Sequence, residues 1–101
     1  MKKIMLVCSA GMSTSLLVTK METAAKDQGL NLEIFAVAEA DAGSHFDDIS
    51  ILLLGPQVRY LKAKLTTALE SRGVPVQVID TLSYGTMNGK AVLDKALADI
   101  K

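Results

Sequence analysis

Cys8 is the single cysteine of the chain, and its surroundings are those of a nucleophile. It follows the apolar run 4–7 and precedes a short loop of small and polar residues, after which a helical pattern begins near Thr14. Successive backbone N–H groups in such a loop bind anions, and the helix dipole adds roughly half a positive charge at the helix N-terminus. The same field favours a thiolate, the nucleophilic form of cysteine. We therefore interpret Cys8 as a nucleophile towards phosphorus; the alternative is a small buried apolar side chain.

The predicted phosphate loop combines hydroxyl donors with residues small enough for the backbone to approach a phosphate. Its seven members are Ser9, Ala10, Gly11, Met12, Ser13, Thr14 and Ser15. Met12 is the apolar member, and two roles remain open for it. Its flexible side chain suits an adaptable docking surface, or it folds back onto the core.

A cysteine before a strand-to-helix phosphate loop also occurs in cysteine phosphatases of the low-molecular-weight class. Those enzymes need an Arg six positions after the cysteine, which clamps the phosphoryl oxygens through bidentate bonds. Here that position is Thr14, the first arginine is Arg59, and no Asp can be assigned as a general acid. This favours a carrier that keeps its phosphoryl group from water, with a phosphatase of that class as the alternative.

Hydrophobic periodicity predicts the elements that position Cys8. Apolar runs at 4–8 and at 49–54, the second interrupted by Ser50 alone, indicate strands buried on both faces. Alternation at 30–34 and 74–78 indicates edge strands. Helical patterns lie between them and at the C-terminus, and residues 81–89 are interpreted as a loop. The chain is therefore predicted to be α/β, with a four-stranded parallel sheet of order 2-1-3-4 and helices on both faces.

Ligands bind such sheets where the strand order reverses, beyond the carboxyl ends of the strands. Cys8 and Gln57 both fall there, so Gln57 either faces the phosphate or only begins a helix. Tyr84 follows the fourth strand and either touches Cys8, lines a docking surface or packs. Asp80 is predicted to cap a helix or turn rather than act as an acid. His45, the only histidine, lies in the polar segment 39–48 and is rejected as a phosphoryl acceptor.

The bulk composition narrows the classes of function. The chain has 101 residues, enough for a single domain spanning 1–101, and 50% of them are apolar. Its formal net charge is zero, so the composition lacks the excess of positive charge that is typical of proteins that bind nucleic acid or an anionic membrane. One cysteine and one histidine cannot close a zinc site, and no cofactor motif is present, so neither metal nor cofactor is expected. The lone cysteine and the absence of a membrane span or signal segment predict a cytoplasmic protein.

The cysteine loop and three further stretches resemble one protein family. The matching segments are Cys8 to Val18 with Lys20-Met21, Leu53-Leu54-Gly55-Pro56-Gln57, Val78-Ile79-Asp80, and Tyr84-Gly85. They resemble the enzyme IIB components of the bacterial phosphotransferase system (PTS), of the lactose, cellobiose and chitobiose type. The similarity extends over essentially the whole chain.

That resemblance implies a function. In this family a phosphohistidine on the IIA component donates to the IIB cysteine, here Cys8. The IIB protein then phosphorylates a sugar held by the membrane component IIC during uptake. The implied partners are therefore IIA and IIC, the implied sugar is cellobiose or chitobiose before lactose, and a monomer is expected.

Overall fold

The structure is a computed structural model that describes residues 2–8 and 12–100, without the side chains of residues 12–14. Four parallel strands form one sheet in the order β2-β1-β3-β4, which confirms the predicted topology. The strands are β1 (Lys2–Cys8), β2 (Leu32–Ala38), β3 (Ile51–Leu54) and β4 (Val76–Val78). Both continuous apolar runs are central, and both alternating runs are edges.

The central strand β1 is buried on both faces, as its unbroken apolar run predicts. Ile4 and Leu6 pack on one side of the sheet, in a core cluster with the first and last helices. Met5 and Val7 pack on the other side, against the third helix and the turn before it. All four side chains are fully buried, so the end of β1 is held from both sides.

Among residues 2–8 and 12–100, five α-helices and two 3₁₀ turns accompany the sheet. The helices are α1 (Met12–Asp27), α2 (Glu39–Ala42), α3 (Lys62–Glu70), α4 (Thr81–Gly85) and α5 (Gly89–Asp99), and the 3₁₀ turns cover Gly43–His45 and Pro56–Leu61. Helices α1 and α5 cover one face of the sheet and α3 covers the other. None of the helices in the described part of the chain has the length and apolar character needed to cross a membrane.

A glycine in the left-handed conformation ends α1. Gly29, with φ +71°, follows α1, and the N–H groups of Gly29 and Leu30 donate to the carbonyls of Lys26 and Ala25. This is a Schellman motif, which favours glycine because the left-handed conformation strains other residues. Because the motif includes Leu30, β2 begins at Leu32, two residues later than the alternation indicates.

The prediction of a loop over residues 81–89 is wrong in its first half, because α4 occupies Thr81–Gly85. The Asp80 carboxylate accepts hydrogen bonds from the backbone N–H of Ser83 at 2.6 Å and from its hydroxyl at 2.9 Å. This confirms Asp80 as a helix cap. A five-residue helix is too short to show a helical period, so its cap was the only signal in the sequence.

The helical pattern between the third and fourth strands forms two elements rather than one continuous helix. Pro56 begins a 3₁₀ turn, in which Val58 has the non-helical angles φ −117° and ψ 22°, and α3 begins only at Lys62. Proline suits the first position of a helical turn because its φ is preset and its missing N–H has no partner there. The apolar spacing is retained, and both Val58 and Leu61 remain buried.

Candidate active site

Cys8 is the last residue of β1 and lies in the interior of the sheet. Its residue is 3% exposed, and it pairs in register with Ala38 of β2. On the other side, the Gly55 N–H, one residue beyond β3, donates to the Val7 carbonyl at 2.9 Å. The carboxyl ends of both central strands therefore meet beside Cys8. This is the point where the strand order reverses, as the sequence predicts.

Gly55 is surrounded by three residues named in the sequence analysis. A Cβ built on Gly55 would lie 3.6 Å from Cys8 Cβ, 3.6 Å from Tyr84 Cε1 and 2.9 Å from Gln57 Oε1. The thiol-bearing residue, the tyrosine ring and the glutamine amide thus converge on one small volume above the end of β3. The chain brings them together from β1, α4 and the 3₁₀ turn that begins at Pro56.

Gln57 and Tyr84 differ in how they are held. Tyr84 is 8% exposed and belongs to the core cluster on the α1 and α5 side of the sheet. Gln57 is exposed, so its amide lies at the protein surface beside the buried Cys8. A rigid aromatic wall and a solvent-facing amide therefore border the same volume.

The predicted phosphate loop lies largely outside the described residues. Ser9, Ala10 and Gly11 are not described, and neither are the side chains of Met12, Ser13 and Thr14. The backbone shows that α1 begins at Met12, four residues after Cys8. Ser15 is exposed in the first turns of this helix, and its carbonyl accepts a hydrogen bond from the Thr19 hydroxyl at 3.2 Å. The phosphate-binding roles and the two alternatives for Met12 stay predictions.

Asp80 caps α4, and His45 packs against a residue of β2. The Ser83 backbone N–H and hydroxyl, which donate to the Asp80 carboxylate, hold its pKa below the ordinary 3.8. The His45 ring packs at a tilt against Phe35 of β2, with ring centroids 5.1 Å apart. Within the described residues, no group of three or more His, Cys, Asp or Glu side chains is arranged to hold a metal ion.

The close approach at Gly55 is what the sequence interpretation missed. The Gly55-Pro56 pair indicates the end of β3, but nothing in the sequence shows that a side chain at position 55 would meet the Gln57 amide. The only available signal was the choice of glycine at a position whose angles, φ −62° and ψ 153°, suit any residue. The backbone conformation therefore does not require a glycine at position 55. The atom that a Cβ would displace is Oε1, at the end of the Gln57 side chain.

The four-stranded parallel sheet covered by helices defines the fold as α/β, and Cys8 marks a candidate site at its point of strand reversal. Comparisons with known proteins define the family. Residues 3–95 match the family described as "PTS system, Lactose/Cellobiose specific IIB subunit". The chain belongs to this family of phosphotransferase-system IIB components.

Individual relatives agree with the family match. The chain is 48% identical to the cellobiose-specific EIIB component of Lactococcus lactis, over 94% of this chain and 93% of that protein. It is 43% identical to the oligo-beta-mannoside-specific EIIB component of Bacillus subtilis, over 97% and 95%. The solution structure of a cellobiose-specific IIB protein from Borrelia burgdorferi is 41% identical, with a TM-score of 0.80 over 98% of this chain and 91% of that one.

A more distant likeness concerns the fold alone. The crystal structure of a YwlE mutant from Bacillus subtilis has a TM-score of 0.53 and 12% identity, over 95% of this chain and 91% of that chain. YwlE has the low-molecular-weight tyrosine phosphatase fold, so the predicted similarity to that arrangement is confirmed at the level of the fold.

Proposed function

We propose that Cys8 is the phosphoryl acceptor and donor of a sugar phosphotransferase system. It receives the phosphoryl group from a phosphohistidine of the IIA component and passes it to a sugar bound by the membrane component IIC. The observation that carries this proposal is the placement of Cys8, at the carboxyl end of a central strand and four residues before the N-terminus of α1, in a member of the IIB family.

The chemistry consists of two displacements at phosphorus. In the first, the Cys8 thiolate attacks, the S–P bond forms and the N–P bond to histidine breaks, and the imidazole nitrogen keeps the bonding pair and takes up a proton. In the second, a sugar hydroxyl attacks, the O–P bond forms, and the thiolate leaves as the hydroxyl proton passes to a base or to water. Neither step needs a metal or cofactor from this chain. The first step restores the unphosphorylated histidine of IIA, and the second restores the Cys8 thiolate.

The residues of the predicted loop, 9–15, would bind the phosphoryl oxygens through backbone N–H groups and hydroxyls. Such donors stabilise the charge that develops on the transferring group, and they act best where water is excluded. The burial of Cys8 supports this role, because the thiol side of the phosphoryl group would be shielded by the sheet.

Hydrolysis by a cysteine-dependent phosphatase of the low-molecular-weight class is the second candidate, and the placement of Cys8 between the end of β1 and the start of α1 is the observation in its favour. Against it, Thr14 stands where the low-molecular-weight phosphatases need their Arg. A neutral side chain there cannot form the bidentate, charge-assisted clamp. We therefore favour transfer between partners over release of phosphate to water.

The relatives support a sugar as the final acceptor, and they are named for different sugars: cellobiose, oligo-beta-mannosides and galactose. We propose cellobiose or chitobiose before lactose, with IIA and IIC as the partners. The carrier would work as a monomer in the cytoplasm, because it must bind IIA and IIC in turn through the surface around one thiol.

Intact-mass analysis after incubation with phosphoenolpyruvate, the general phosphotransferase proteins and a cellobiose-type IIA tests the proposal. We expect native protein to gain one phosphoryl group that is lost under conditions that cleave an S–P bond, and Cys8→Ser to gain none. No gain from a demonstrably phosphorylated IIA would contradict the proposed donor. Turnover of an aryl phosphate by the native chain alone would favour the phosphatase instead.

A further inference from the structure

Gly55 leaves room for the end of a neighbouring side chain. Its angles, φ −62° and ψ 153°, are ordinary extended backbone that any residue adopts. The limit is set by Gln57 Oε1, which would lie 2.9 Å from a Cβ at this position. Real Cβ atoms do not approach a neighbour so closely, so any side chain at position 55 would displace the Gln57 amide. The missing Cβ therefore lets Gln57 fold back over the end of β3.

The position that Gln57 thereby gains is beside the proposed reaction centre. The point occupied by a hypothetical Cβ is also 3.6 Å from Cys8 Cβ, so the Gln57 amide and the base of the thiol flank the same small volume. A phosphoryl group on Cys8 would be attached through Sγ, one bond beyond Cβ, and the Gln57 amide is close enough to Cβ to contact such a group. Rotation about the last side-chain bond of Gln57 exchanges its oxygen and nitrogen, so the amide can present N–H donors there.

From this geometry we propose that the Gln57 amide donates a hydrogen bond to a phosphoryl oxygen while the group is transferred to and from Cys8, and that Gly55 is the positioning residue that makes room for it. This inference rests on the proposed function, since it concerns the same phosphocysteine. In the transfer step the S–P bond forms as the N–P bond of the donor histidine breaks, and Gln57 exchanges no proton.

A neutral donor suits a carrier better than a cation. A hydrogen bond from a cation to a phosphoryl oxygen is stronger than one from a neutral amide to the same anion, so an arginine would hold the phosphocysteine firmly before the next transfer. Binding that is as strong in the ground state as in the transition state does not raise the rate. An amide that can turn at the protein surface stabilises the phosphoryl oxygens during transfer. It stabilises the resting phosphocysteine less than a cation would. Gln57 thus takes the place of a clamp without the charge that favours retention.

The Gly55→Ala variant tests the positioning role selectively. Its methyl group would make only ordinary contacts with Cys8 and Tyr84, both at 3.6 Å, and its backbone angles tolerate alanine. The Gln57 amide is the group that must move. Gly55→Ala should therefore fold normally and resemble Gln57→Ala in function.

The experiment measures single-turnover phosphorylation of Cys8 by a phosphorylated cellobiose-type IIA. We expect Gln57→Ala to lower the limiting rate by about tenfold with little change in the IIA concentration at half-maximal rate, as for one lost hydrogen bond to a charged group. Gly55→Ala should show a loss of similar size. The double variant should be no slower than Gln57→Ala, because Gly55 acts only through the amide.

Two further variants separate chemistry from structure. Gln57→Glu keeps the length and shape of the side chain but adds a negative charge, so it should be slower than Gln57→Ala. Gln28→Ala removes another exposed amide, which follows the C-terminus of α1 at the far end of the helix from Cys8, and should react at the native rate.

Each outcome bears on one of the two proposals. If the native protein is not phosphorylated, the proposed function fails. If the native protein is phosphorylated and Gln57→Ala or Gln57→Glu matches its rate, the role of Gln57 is wrong while the carrier function stands. If the losses of Gly55→Ala and Gln57→Ala multiply in the double variant, Gly55 does not act through Gln57.

Discussion

The contact between α1 and α5 depends on Gly89, the first residue of α5. A Cβ at this position would lie 2.5 Å from the Lys20 carbonyl carbon, 2.6 Å from Lys20 Cβ and 2.6 Å from the Met21 backbone nitrogen. Non-bonded carbon atoms prefer about 3.5 to 4.0 Å, so Gly89→Ala must separate the two helices by roughly 1 Å. Two of the three blocking atoms belong to the α1 backbone, which cannot turn aside as a flexible side chain would.

The magnitude follows from two opposing effects. Overpacking of this kind costs about 1 to 3 kcal/mol, whereas alanine in place of glycine contributes up to about 1 kcal/mol in a helix. We therefore expect Gly89→Ala to lower the free energy of unfolding by about 1 to 2 kcal/mol. For a domain of this size, each 1 kcal/mol corresponds to a change of about 4 to 8 °C in the midpoint of thermal unfolding.

Urea unfolding followed by circular dichroism measures the effect, with Gly43→Ala as the matched control. Gly43 has ordinary helical angles, φ −59° and ψ −30°, and a Cβ there would meet nothing within 4 Å. The control should be neutral or more stable than the native protein by up to about 1 kcal/mol. If Gly89→Ala is as stable as Gly43→Ala, the helices are not in the close contact on which this reasoning depends.

Two other substitutions test the core and the cap before α4. Leu53→Ala should lower the free energy of unfolding in urea by about 2 to 5 kcal/mol, because the side chain is 1% exposed in a central strand. The control Leu82→Ala, at a residue 76% exposed, should change it by less than about 0.5 kcal/mol. Equal losses in the two variants would contradict the assigned burial. Asp80→Ala should lower the thermal midpoint at neutral pH, because folding lowers the Asp80 pKa below 3.8 through the bonds from Ser83. That stabilisation is present above the ordinary pKa and is lost as the pH falls through the lower folded value, so the difference from native protein should shrink in acid. A difference that is constant with pH would show that the carboxylate charge plays no part.

The sheet order could be predicted because burial differs sharply between central and edge strands. Residues 4–8 and 51–54 are apolar on both faces, and only an interior position in the sheet accommodates that pattern. Right-handed crossovers then leave the order 2-1-3-4. The bounds of the helices were harder to predict from the sequence, because they depend on caps and turns only a few residues long. The division of the segment after β3 at Lys62, for example, leaves the apolar spacing unchanged.

The candidate site was predictable to a lesser degree. The position of Cys8 follows from strand order alone, since the residue after a continuous apolar run lies at the point of reversal. The neighbourhood of Gly55 does not, because it depends on distances of a few ångströms between three separate elements. Sequence periodicity describes which face a residue occupies, but it does not describe how closely two backbones approach.

In the proposed mechanism, the same close approach accounts for how a buried thiol reacts with a group held by a partner protein. Cys8 pairs with Ala38 of β2, and on the other side the preceding Val7 carbonyl accepts a hydrogen bond from Gly55, so the position of Cys8 is set by the sheet rather than by a bound protein. Gln57, in contrast, lies on a short 3₁₀ turn and is exposed, and its reach towards Cys8 requires only the vacant volume at Gly55. A fixed nucleophile with an adjustable neutral donor meets the need of a carrier that must accept from one partner and donate to another. A charged clamp at position 14 would bind the phosphoryl group before and after transfer alike, and that is the arrangement this chain lacks.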